Sequence, residues 1–119
     1  MNLRCQTVLS MAAATWALLS GCTLLSPVYE GRYSVTEGWR EAKVVEVGTT
    51  VREHPRLADC RKDGVDRPPD QLYAYLDFRP TRREPRVVPV AREQALRAGD
   101  LVYVNVKDCS APVARRAGG

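Results

Sequence analysis

From Trp39 onward the chain alternates between apolar and polar positions with a period of two. QLYAYLDF, residues 71–78, sets Leu72, Ala74, Leu76 and Phe78 on one side and Tyr73, Tyr75 and Asp77 on the other. That is the pattern of a half-buried β-strand. DLVYVNVKDC, residues 100–109, repeats it, with Val102, Val104 and Val106 opposed to Leu101, Tyr103, Asn105 and Lys107. WREAKVVEVGTTV, from Trp39 to Val51, is rich in β-branched residues and reads as a further strand, with a bulge expected near Gly48 where the apolar face switches. RVVPV, residues 86–90, is a short strand that Pro89 assigns to an edge or a bulge. The basic turn RPTRREP joins it to 71–78 and predicts a hairpin.

The connections read differently. Residues 52–70 carry many charges with Pro55, Gly64, Pro68 and Pro69, and predict a long loop. AREQALRAG, residues 91–99, favours a single helical turn that stops at Gly99. Residues 23–38 hold Pro27, Gly31 and Gly38 without a sustained period, and read as a tether. Four or more short strands with one helical turn predict a mainly β domain: a small antiparallel β-barrel or curled sheet, SH3-like or OB-like.

The N-terminus has another character. Arg4 is followed by an apolar run from about Val8 to Leu19 that closes on small residues. A charged start, an apolar core and a small-residue processing site make a secretory signal. The run is about a dozen residues, short of the roughly 20 needed to span a bilayer. Leu19-Ser20-Gly21-Cys22 resembles the lipobox of bacterial lipoproteins, an aliphatic residue and two small ones before a cysteine. The resemblance implies cleavage after Gly21 and acylation of the Cys22 thiol, whose sulfur forms the thioether. Thr23 stands where an Asp would mark inner-membrane retention in many such proteins, so the resemblance implies the outer membrane, periplasmic face. The expected organisation is a signal peptide over 1–21, a lipidated tether over 22–38, a β-domain over 39–110 and a disordered basic tail over 111–119.

Cysteine usage follows from that address. Cys5 leaves with the signal and Cys22 is lipidated, so Cys60 and Cys109 remain. In an oxidising compartment a lone pair predicts a disulfide. The alternative, a two-cysteine metal site, lacks partners, since the only histidine is His54 and no CxxC occurs. Removing residues 1–21 from 119 leaves 98, a size at which a core alone is marginal.

Charge and motifs narrow the function classes. The formal charge of +4 becomes +3 once Arg4 is removed, which suits contact with anionic lipid, lipopolysaccharide or peptidoglycan. Nucleic acid is not expected for an exported chain. No GxSxG, HExxH or Gly-rich phosphate loop is present, and no enzyme or cofactor is expected. Asp59, Asp63, Asp66 and Asp70 crowd one loop, but Arg61, Lys62 and Arg67 interleave with them at a spacing unlike a calcium loop. Arg79, Arg82, Arg83 and Arg86 form a candidate anion site, since guanidinium forks match phosphate, with Tyr73 and Tyr75 near enough in sequence to stack on a ligand.

Arg97-Ala98-Gly99-Asp100-Leu101-Val102-Tyr103-Val104 resembles the closing segment, R-x-G-D-x-V-x-V, of SlyB-type outer-membrane lipoproteins. The resemblance spans Tyr73 to Val106 and lacks that family's glycine zipper. It implies a strand–turn–strand end to the domain, with Gly99 at positive φ and Asp100 bonded to nearby backbone. The expected role is a non-enzymatic envelope lipoprotein contacting another envelope component; the alternative is a binding module for an anionic polymer.

Overall fold

The computed structural model describes residues 26–117. The expected signal segment and Cys22 lie outside the described residues. Eight strands form: β1 Val28–Tyr29, β2 Tyr33–Ser34, β3 Trp39–Gly48, β4 Ala58–Asp59, β5 Leu72–Asp77, β6 Arg86–Val90, β7 Leu101–Asn105 and β8 Ala114–Arg115. β1 and β2 make a small hairpin. The other six form one sheet in the order β4-β6-β5-β3-β7-β8, antiparallel except for the β4–β6 pair. The protein is mainly β, and its sheet is open at β4 and β8 rather than closed into a barrel.

β3 organises the sheet. Its first half, residues 39–43, pairs with β7, and its second half, 43–48, pairs with β5. Between Val44 and Glu46 the ladder slips, so the bulge falls at Val45 rather than near Gly48. The reason is packing. Val44 and Val47 are three residues apart, and one extra residue puts both on the same face. The turn after residue 97 braces this kink: Gly99 donates to the Val44 carbonyl at 2.7 Å, and Val44 donates to Asp100 at 2.8 Å. Gly99 holds φ +96°, and the Asp100 carboxylate accepts from the Arg97 amide at 2.8 Å.

The main core lies on the face the alternation predicts. Ala42, Val44, Ala74, Leu76, Phe78, Val88, Val90, Val102 and Val104 are all buried there, joined by Leu96, Val113 and Cys60 from the connections. Burying side chains such as Leu76 or Val104 stabilises by about 1.5–3 kcal/mol each. Cys60 and Cys109 are disulfide-bonded, with Cα atoms 5.6 Å apart across 49 positions. The bridge ties the 52–70 connection to the chain just after β7. Within that connection, β4 adds in parallel to β6 and a 3-10 turn covers Cys60–Lys62. The helical turn expected in 91–99 is a 3-10 turn over Arg92–Gln94.

The opposite face departs from the expected polar surface. Tyr75 is only 6% exposed, packed with Val51 and Val87 beneath the 49–57 segment, with Val45, Leu57 and Tyr73 at the margin. Over the β7 half of the sheet lies the β1–β2 hairpin, within the segment expected as a tether. The rings of Tyr29 and Tyr33 each stack on Tyr103, with centroids 5.0 Å apart, and Tyr33 meets Trp39 edge-on at 4.9 Å. Such contacts contribute about 0.5–1.5 kcal/mol each beyond area burial, enough to hold two-residue strands that would not form alone. The 111–119 segment, expected as disordered, contributes buried Val113 and the pairing of β8 with Val102 and Tyr103.

Two polar contacts fasten the hairpin. The Glu30 carboxylate accepts from Tyr103 Oη at 2.9 Å and from the Ala117 amide at 2.8 Å, so one side chain joins the hairpin tip, β7 and the C-terminal segment. Those hydrogen bonds, the Ala117 amide foremost, hold the Glu30 carboxyl below its ordinary range. Where the hairpin enters β3, buried Asn105 donates to the Glu37 carbonyl at 3.1 Å and accepts from the Lys107 amide at 2.8 Å. Gly38 sits against this amide at φ +107°, a conformation and a space that exclude a side chain.

Candidate functional site

The turn between β5 and β6 begins where Asp77 caps its own chain. Its carboxylate accepts from the Arg79 amide at 3.0 Å and from Arg79 Nε at 2.7 Å. Burial pushes the Asp77 carboxyl up, but the Arg79 hydrogen bonds and charge outweigh it, and the net shift is downward. The Arg79–Pro80 peptide is cis, and Thr81 returns the chain by donating its amide and hydroxyl to the Phe78 carbonyl at 2.9 and 2.7 Å. The turn is therefore ordered by its own short-range contacts, with Arg82 and Arg83 left at the surface.

The four expected arginines divide into three situations. Arg79 is exposed but paired with Asp77. Arg82 and Arg83 are exposed and have no carboxylate partner among the described residues; Arg83 lies 5.9 Å from the Phe78 ring centroid. Arg86 departs from the cluster. It belongs to β6, half-buried, with Nη2 3.7 Å from Cys109 Sγ and a buried Nε that has no partner. Burial first, and then the charge of Arg83, pushes its pKa down. Strand alternation explains the split, because position 86 is a ladder residue opposite Leu76 and not part of the tip. Tyr73 and Tyr75 are not beside the turn as ligand platforms either, since they lie in the second apolar cluster.

The turn forms one wall of a cleft of about 790 Å³. The floor is the β3 segment with Glu41 and Lys43, and the far wall is Tyr29 of β1 with Arg116. Arg116 pairs with Glu41 at 3.3 Å and lies 5.7 Å from the Tyr103 centroid. Arg40 turns its guanidinium to the carbonyls of Val35 and Trp39, both at 2.8 Å. With Arg79 and Arg116 paired to carboxylates and Arg40 to carbonyls, Lys43, Arg82 and Arg83 are the cations lining the cleft with neither partner among the described residues; Glu84 is the one acid lining the cleft without a cationic partner among them. Lys43, Arg116 and Tyr29 were not legible as site residues, because they come from three separate stretches that only the fold brings together.

The other candidates resolve into local structure. His54 is exposed, and its Nδ1 accepts from the Arg56 amide at 3.1 Å. Asp59 pairs with Arg61 and Asp63 with Arg67, each at 2.7 Å, so the interleaved charges of 52–70 neutralise one another. Among the described residues no three His, Cys, Asp or Glu side chains converge on a metal-sized site, and no helix is long and apolar enough to cross a membrane. No family model, curated protein or solved structure matches the chain.

Proposed function

We propose that this protein is a lipid-anchored envelope protein with a non-catalytic role, carried on the periplasmic face of the outer membrane. The observation that carries this is the pairing of a lipobox, Leu19-Ser20-Gly21-Cys22, with a disulfide in the domain that follows it. The two features have independent chemical causes, thiol acylation during export and thiol oxidation after it, and both belong to the same compartment. The domain acts as a small, bridged β-module that presents its surface to another envelope component. Intact mass spectrometry of the membrane-extracted protein tests the anchor. A diacylglycerol-modified chain beginning at Cys22 is the expected species, and an unacylated soluble chain would sink the reading.

A second reading is favoured by one specific feature. The Arg82 and Arg83 side chains stand exposed, with no carboxylate partner among the described residues, at the tip of a turn whose hydrogen bonds use neither guanidinium. On this reading the module binds an anionic component of the envelope, such as a lipid head group, lipopolysaccharide or peptidoglycan. Binding that weakens with added salt is its signature.

A further inference from the structure

We infer that the cleft between the β5–β6 turn and the β1–β2 hairpin binds the phosphomonoester head group of an envelope lipid, with Lys43, Arg82 and Arg83 as its cationic contacts. This rests on the second reading above and moves its site from the turn alone to the cleft.

Three observations carry it. The first is charge left over after pairing. Four cations without carboxylates line the cleft, Arg40 bound to carbonyls and Lys43, Arg82 and Arg83 free of them, against one unpaired acid, Glu84. A phosphomonoester carries a charge of roughly −1.5 to −2 at neutral pH, which this positive surplus can compensate in full. Arginine forks bind its oxygens bidentately, and the lysine supplies a point charge from the floor. The second is size. A cleft of about 790 Å³ is far larger than a phosphate and falls in the usual range for small-molecule sites, leaving room for the sugar or glycerol that bears the phosphate. Tyr29, stacked on Tyr103, lines the cleft beside that neutral part.

The third observation selects a lipid over a soluble phosphate. Tyr29 lies seven positions after Cys22. At no more than about 3.6 Å per residue, the chain cannot carry this wall more than about 25 Å from an anchored Cys22. The wall of the cleft that holds Tyr29 therefore stays within reach of the head-group layer.

The test uses the full chain in nonionic detergent, titrated with dihexanoyl phosphatidic acid, dihexanoyl phosphatidylcholine and inorganic pyrophosphate. Calorimetry should show saturable binding of the phosphatidic acid and none of the phosphatidylcholine. The K43Q/R82Q/R83Q variant should bind at least about tenfold more weakly, since each charge-assisted contact is worth about a factor of ten. All three side chains are exposed, so circular dichroism should be unchanged. The R56Q/K62Q/R97Q variant removes the same charge outside the cleft and should keep wild-type affinity. Equal losses in the two variants, absence of phosphatidic acid binding, or binding of pyrophosphate alone would each overturn the proposal. The outcome is separable from the anchor, because acylation of Cys22 is read by mass and cleft binding by titration.

Discussion

Breaking the Cys60–Cys109 bridge should remove about 4 kcal/mol of stability at 25 °C. The cysteines lie 49 positions apart, and closing a loop of that length restricts the unfolded chain by about 14 cal/mol/K in the chain-entropy model. Reduction keeps both side chains and removes the loop constraint, with only the small packing change of two sulfur atoms moving apart. The C60A/C109A variant adds a packing cost, because Cys60 is 1% exposed within the main core, and its loss should approach about 5 kcal/mol. Against a total of about 5–15 kcal/mol for a small domain, either change consumes much of the margin. Urea unfolding of the oxidised and reduced full chain, followed by tryptophan fluorescence and circular dichroism, measures both. The m-value should rise on reduction, because an uncrosslinked unfolded chain exposes more surface. A difference below about 1 kcal/mol would refute the reasoning, since it would mean that the unfolded ensemble already keeps these segments together without the bond.

Two further perturbations separate local causes. Gly38→Ala should cost roughly 2 kcal/mol or more by urea unfolding, because its Cβ would lie 2.5 Å from Asn105 Oδ1 at φ +107°, whereas Gly31→Ala, at φ +70° in open space, should cost only about 1. Acid should destabilise the domain through Asp59, whose carboxyl is held low first by the side-chain hydrogen bond from Arg61. A depressed pKa stabilises the fold fully above the unfolded value of about 4 and loses that contribution as pH falls through the lower folded value. The urea midpoint should therefore drop below about pH 4, and Asp59→Asn should flatten that limb; an unchanged acid limb in the variant would count against the pair.

The β5 and β7 share of the main core was legible from alternation alone. Leu72, Ala74, Leu76 and Phe78, with Val102, Val104 and Val106, share one face because side chains in a strand must alternate. The disulfide was legible because two thiols remain once the others are assigned. A helical turn within 91–99 was legible from its helix-forming residues, but it stops at Ala95, at φ +48°, and not at Gly99. What tertiary structure decided lies mostly on the opposite face. Strands of two residues, β1, β2, β4 and β8, carry no period, and each forms only because a neighbour offers a ladder or an aromatic surface. The bulge moved from Gly48 to Val45 because two valines had to reach one core, a demand set by β5 and not by the glycine. Tyr75 was buried by Val51, which lies past the end of β3 at Gly48, and by Leu57 from the charged connection. Arg86 left the arginine cluster because its place in the β6 ladder turns it toward the disulfide. The cleft belongs to neither pattern nor motif. Its cations sit at positions 43, 82 and 83, and only the pairing of β3 with β5 brings them to one wall and floor, because strand pairing sets distance in space independently of distance along the chain.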